Sequence, residues 1–340
     1  MLHLKSMKYL NNIIFAGLLF LACTNNSTDP VPTPAWQASN SGLDSKTVQC
    51  IAPSANNGDL IYIGTLTGVY RSNDGGVNWS PRNTGLTSQD AKTLAVHPDN
   101  DNLLFLGTWG KGVFKSGNGG NNWQSIWPED FDPRVYKVAL GSNGFLWAAS
   151  KNGLYKSADQ GANWDLVYDD DNILTVSVNP VDPREVVIGV QYSGNFKTSD
   201  NGNTWKAIND GIYGDPNSAT GILAANCITY DPVHTQTLYL STGSVDIYKS
   251  TNSGGSWQQV PEDKSDFKVL TIAIDPNNNA TIWAGTAELG IWTSTNSGTS
   301  WQERNDGLDN KQIKALAFSG GSNPRLFAGT AGGGVYIFSE

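Results

Sequence analysis

Ser72-Asn73-Asp74-Gly75-Gly76-Val77-Asn78-Trp79 is the stretch that decides the fold, because the chain keeps returning to it. It recurs at residues 116–123 (SGNGGNNW), 157–164 (SADQGANW), 198–205 (TSDNGNTW), 250–257 (STNSGGSW) and 294–301 (STNSGTSW). The six copies share Ser/Thr-x-Asp/Asn-x-Gly-x-x-Trp, with Trp-to-Trp spacings of 44, 41, 41, 52 and 44. A fixed period of that length is the signature of a solenoid or a propeller. Gly76 and its equivalents suit the positive φ of a tight hairpin turn. Asp74, Asn118, Asp159, Asp200, Asn252 and Asn296 are placed to accept backbone N–H bonds across that turn, and Ser72 to close it through its hydroxyl. The following Trp supplies a large area for packing on neighbouring repeats. These residues read as structural staples rather than catalysts.

Each turn follows a short strand such as GVYRS, GVFKS or GIWTS, and two more strands lie between turns. The first runs as KTLAVHP or LTIAIDP and the second as LLFLGT or TIWAGT. Both are rich in β-branched and aromatic residues, as strands buried on two faces should be. The third strand occurs a seventh time, ending in Gly334-Val335-Tyr336, with no turn and Trp after it. Its partner stands at the other end, where Trp36-QASNSGL matches Trp79-SPRNTGL and Trp301-QERNDGL. The expected fold is all-β: one seven-bladed propeller of four-stranded blades over residues 36–340. The N-terminal strand completes the last blade and closes the ring, protecting its edges.

The repeat resembles the Asp-box (BNR) repeat of sialidases, xyloglucanases, sortilin-type receptors and photosystem II assembly-factor propellers. That resemblance implies ligand binding over the central channel, on the face carrying the interblade loops and the turns between second and third strands. A sialidase would need three arginines around a substrate carboxylate. The chain has six arginines, of which only Arg134 falls on that face, and no Arg-Ile-Pro. Xyloglucanases build their cleft between two propellers, whereas one is legible here.

Composition agrees with many short strands. The 340 residues include 37 Gly and 12 Trp, with 39% hydrophobic and 16% charged residues. A net charge of −9 argues against a nucleic-acid partner, whose affinity rests on clustered cations. No cofactor or metal is expected. His3, His97 and His234 do not cluster, Asp169-Asp170-Asp171 lacks the alternation of a calcium loop, and the glycine runs lack a following Lys-Ser/Thr.

The first residues read as an address. Lys5 and Lys8 precede the apolar run Ile13 to Leu21, which is followed by Ala22-Cys23 and the polar TNNSTDPVPTP. This resembles a bacterial lipobox, with residues 1–22 as signal peptide, Cys23 lipidated, and 23–35 a tether. Removing 1–22 takes away two lysines and no acid, moving the net charge from −9 to −11. The expected location is the bacterial cell envelope, held at the outer membrane or cell surface by the lipid anchor alone. Cys50 and Cys227 occupy one column of two non-adjacent repeats and read as separate small residues rather than a bridge.

For the binding face the sequence offers Trp109, Lys111, Arg134, Tyr136, Tyr192, Tyr213 and Glu288 as ligand contacts. Asp130, Asp170 and Asp215 are the candidate acids should the chain hydrolyse a glycosidic bond, which takes two carboxyls about 5–9 Å apart. Tyr213 and Asp215 lie in the longest interblade loop, 209–226, a natural place for specificity. The preferred expectation is a monomeric, non-catalytic binding module for a protein or glycan partner. The alternative is a glycoside hydrolase or lyase acting on polysaccharide at the same face.

Overall fold

The computed structural model describes residues 35–212, 223–242, 247–260 and 267–339. They form seven antiparallel four-stranded sheets. The sheets cover residues 48–81 (blade 1), 91–125, 135–168, 173–207, 227–259, 269–303 and, for blade 7, 313–339 together with 35–38. In blade 1 the order from the axis outward is Val48–Pro53, Ile61–Thr65, Gly68–Ser72 and Ser80–Pro81. Successive inner strands pack side by side, and Val48–Pro53 meets Ile313–Phe318 to close the circle. Ala35–Ala38 pairs with Val335–Ser339, Trp36 opposite Phe338, so the ring closes as the repeats require.

The second strands explain why blades stack. IYIGT, LWAAS, VVIGV, IWAGT and LFAGT are buried at every position, because each sheet is covered by a blade on both sides. Such runs have no polar face to offer water, so only a closed ring of sheets can bury all of them.

The Asp-box turn is held within eight residues. Ser72 Oγ donates to Asp74 Oδ1 at 2.8 Å and accepts the Gly76 N–H at 2.8 Å; Asp74 Oδ1 accepts the Asn78 N–H at 2.9 Å. Asn118, Asn252 and Asn296 make the same first bond with 2.9 Å separations. The turn uses two successive left-handed residues rather than the one expected. Gly75 (φ 70°) precedes Gly76 (φ 89°), and Gln160, Asn201, Ser253 and Ser297 take the first position in other copies at φ 57–60°.

Two sets of bonds join most of the turns to the preceding blade. The Trp indole N–H reaches back to a main-chain carbonyl: Trp79 to Ser39 (2.9 Å), Trp123 to Arg82 (2.8 Å), Trp164 to Ile126 (2.8 Å), Trp205 to Val167 (3.0 Å) and Trp257 to Ile208 (2.7 Å). Trp36 does so across the closure, to Arg304 at 2.7 Å. Trp301 instead bonds Gly298 in its own turn, at 3.0 Å. The second set is a cation on the third strand that reaches forward to the next turn. Arg71 donates to Gly119 O (3.0 Å), Lys156 to Asn201 O (3.0 Å), Lys197 to Ser253 O (2.7 Å), Lys249 to Ser297 O (3.1 Å) and Lys115 to the Gln160 side chain (2.8 Å). The left-handed residue turns its carbonyl or side chain outward, and that is the group the cation takes.

Cys50 and Cys227 are free and half-buried, as their shared repeat column implies. Cys23 lies outside the described residues, as do Tyr213 and Asp215.

Candidate binding face at the channel mouth

Most inner strands are distorted where they enter the interblade-loop face. Register shifts mark a bulge in six of them, leaving Gln49, Lys92, Tyr136, Leu174, Leu270 and Lys314 without an opposite residue. A bulge bends its strand and re-aims the extra side chain. These six therefore stand at one level around the axis, two of them lysines. In five of the six, the residue just before the strand accepts a main-chain bond from the turn between the second and third strands of its blade. Trp109 N–H donates to Asp90 O (3.3 Å), Lys151 N–H to Arg134 O (3.1 Å), Gln191 N–H to Asn172 O (3.0 Å), Ala287 N–H to Lys268 O (3.0 Å) and Ala331 N–H to Gln312 O (2.9 Å).

Five of the expected ligand contacts lie on this face of blades 2 to 4. Trp109, 41% exposed, stands in the turn between second and third strands of blade 2 and bridges main chain to main chain with Arg134. Its ring meets the Tyr136 ring edge-on, centroids 5.2 Å apart. Tyr136 Oη donates to Asn172 Oδ1 at 2.8 Å, linking blade 3 to blade 4. Burial raises the Tyr136 phenol above its ordinary pKa, so it stays a donor at neutral pH. Tyr192 follows Gln191 at φ 67° and is 53% exposed. Lys111 is exposed in the Trp109 turn, its N–H donating to Thr108 Oγ1 at 3.2 Å. Glu288 is on the far side of the ring, exposed and paired with Lys268 at 3.4 Å.

Arg134 is committed. Its Nε donates to Asp132 Oδ1 at 2.8 Å and its Nη2 to Asp132 Oδ2. Those bonds hold the Asp132 carboxyl below its ordinary pKa and occupy the Arg134 fork that a substrate carboxylate would need. Of the candidate acids, Asp170 accepts Ser193 Oγ at 2.9 Å and the Asp171 N–H at 2.8 Å. Asp130 is exposed; with Asp169 and Asp132 it raises the Tyr155 phenol, whose shift comes first from burial. Among the described residues, every carboxylate displaced from its ordinary range is displaced downward: Asp74, Asp159 and Asp200 to about 2, with Asp132, Asp182 and Glu303 lowered by hydrogen-bond donors. A general acid requires the opposite direction.

Asn172 was not legible as a site residue, although it joins three turns. Its N–H donates to Lys151 O at 2.5 Å, its carbonyl accepts Gln191, and its amide accepts Tyr136. A signal existed: it occupies the repeat column of Asp90, Arg134, Lys268 and Gln312, just ahead of each inner strand. The bulged lysines Lys92 and Lys314 were likewise hidden inside strands that alternate normally.

The sequence profile of the family described as Photosynthesis system II assembly factor YCF48 matches residues 31–324. No curated protein matches the chain. Among solved structures, the GH74 xyloglucanase from Xanthomonas campestris superposes with a TM-score of 0.71 at 17% identity. That match covers 90% of this chain and 53% of the enzyme, so the chain spans about half the enzyme's length. YCF48 bound to D1 peptide gives 0.67 at 18% identity, covering 91% of this chain and 97% of that one. YCF48 from Cyanidioschyzon merolae gives 0.66 at 17%, covering 89% and 98%. At these identities the likeness is one of fold.

Proposed function

This chain belongs to the Photosynthesis system II assembly factor YCF48 family, and on that premise we propose that it is a non-catalytic platform holding a protein segment on its interblade-loop face. The observation that carries the reading is the continuous Trp109–Tyr136–Asn172 contact across three blades, with an exposed indole at one end. Exposed aromatic surface on a rigid scaffold is the chemistry of a protein hot spot. Lys111 and Lys151, in the two flanking turns, and Lys92 at the axis suit a segment carrying carboxylates. A YCF48 of the same fold is bound to a D1 peptide, which supports a peptide rather than a glycan as the ligand class. Lipidated Cys23 and the tether to residue 35 would hold the ring at the bacterial envelope; the lipobox-like run before Cys23 supports that placement.

The test is site-specific crosslinking in the producing cells. A photoreactive residue at Trp109 should capture a discrete protein, whereas the same residue at Val181, exposed at 70% on the opposite face, should not. Equal capture at both positions, or release of reducing ends from a polysaccharide panel, would overturn the reading.

A further inference from the structure

On the opposite face each Asp-box turn is seated on the blade before it, and the seat has three parts. A floor residue on the second strand lies opposite the cation of the third strand: Tyr62 with Arg71, Phe105 with Lys115, Trp147 with Lys156, Val187 with Lys197 and Tyr239 with Lys249. A wall residue at the end of the outer strand touches the turn's second left-handed Gly. A Cβ on Gly161 would lie 2.2 Å from Ile126, on Gly202 3.4 Å from Val167, on Gly254 2.9 Å from Ile208, and on Gly298 3.2 Å from Val260. Between blades 7 and 1 the floor is Phe327, which a Cβ on Gly76 would approach to 2.7 Å.

Blade 6 repeats the seat with Trp283 as floor, Thr293 opposite it and Arg304 as wall. Among the described residues no Asp-box turn covers it, because the third and fourth strands of blade 7, Val335–Ser339 and Ala35–Ala38, are not consecutive in the chain. Phe338, in the column of the box Ser, sets its ring 4.8 Å from Trp283 and takes part of the room. What remains is a cavity of about 850 Å³ lined by Trp283, Thr293, Arg304, Phe318, Arg325 and Phe338 among others. Trp283 keeps 6% of its surface exposed, where the other six floors keep 0–1%. Thr293 stands where blades 1–5 carry the turn-holding cation, as Ile337 does in blade 7, whose seat the Gly76 turn covers. Arg304 makes no ion pair among the described residues.

We propose that this blade 6–blade 7 seat binds a glycine-containing tight turn presented by a partner chain. The occupant is defined by what fills the equivalent seats: a hairpin with two left-handed residues, an outward carbonyl, and an Asp or Asn in the turn. Its apolar edge lies on Trp283 and Phe338, and its outward carbonyl or carboxylate faces the Arg304 guanidinium. The site is on the face opposite Trp109 and acts independently of it.

The probe is a cyclic peptide of the chain's own residues 69–80 (VYRSNDGGVNWS), titrated calorimetrically into the full chain, with a cyclic peptide of scrambled order as control. The native order should bind and the scrambled order should not. Arg304→Glu should weaken binding at least tenfold, and Thr293→Lys, which restores the cation of blades 1–5, should tighten it about tenfold; Trp109→Ala should leave it unchanged. Equal binding of both peptides, no binding, or no response to either seat substitution would overturn the proposal. Binding seen only after residues 24–34 are deleted would overturn it in favour of the chain's own N-terminal segment as occupant.

Discussion

Replacing Lys156 with Met removes one interblade cation while keeping most of its aliphatic stem. Lys156 Nζ donates to Asn201 O at 3.0 Å and stands over the rings of Phe145 (5.4 Å) and Trp147 (5.9 Å). A hydrogen bond from a charged donor contributes about 1.5–3 kcal/mol, and a cation over an aromatic face about 0.5–1 kcal/mol where water has access. The side chain is only partly buried, so the Asn201 carbonyl regains some hydration when the ammonium is lost; the low end of the sum, about 2 kcal/mol, is expected. The assay is the shift in denaturant midpoint at unchanged slope, with coincident fluorescence and circular-dichroism transitions as the test of two-state unfolding. Lys206→Met, on the exposed outer strand of the next blade, is the control and should stay within about 0.5 kcal/mol. A Lys156→Met loss no larger than that of Lys206→Met would refute the idea that these cations hold blades together. Lys197→Met should cost more, about 3 kcal/mol, because it also leaves Glu185, paired at 3.3 Å with both side chains largely buried, with only the neutral donors Asn179 and Tyr230.

Three further outcomes are expected. Asp74, Asp159 and Asp200 have folded pKa values of about 2, below the ordinary 3.8, so the unfolded chain binds more protons between those limits and stability is lost as pH falls from about 4 towards 2. The triple change to Asn, the residue already used at 118, 252 and 296, should flatten that acid limb in pH-dependent denaturant melts; an unchanged limb would show the turn carboxylates to be irrelevant to it. Burial raises the Cys50 thiol to about 11 from 9.0, and its sulfur abuts Ala91 O at 4.0 Å, although the residue keeps some solvent-facing surface. Its folded pKa is the higher one, so stability should fall as pH rises from about 9 to about 11, and alkylation at pH 8 should be far slower than for the unfolded chain. Cys23→Ser should abolish incorporation of an alkyne-tagged fatty acid and release the chain from membranes; label retained in that variant would refute lipidation at Cys23.

Much of this molecule was legible in its residues because the decisive interactions are local. Ser72, Asp74, Gly76 and Asn78 complete their hydrogen bonds within one turn, so their spacing announces the turn, and its recurrence announces the number of blades. The match of Trp36 to Trp79 and Trp301 foretold the closing strand for the same reason: a residue that caps an outer strand does so wherever the chain is cut. Contacts between blades needed the ring. Lys156 and Asn201 are 45 positions apart and Trp36 and Arg304 are 268 apart, and neither pair has a local pattern that names its partner. The bulges at Tyr136 and Lys92 arise where a twisted inner strand must meet its neighbours at the axis, a demand of packing rather than of propensity. Thus the sequence alone determined the repeating unit, the blade count and the closure. Only the tertiary structure decided that Arg134 is bound to Asp132, that Trp109, Tyr136 and Asn172 are joined across three blades, and that Trp283, Arg304 and Phe338 line a cavity between blades 6 and 7. Local bonds follow the order of residues, and these follow the order of blades in space.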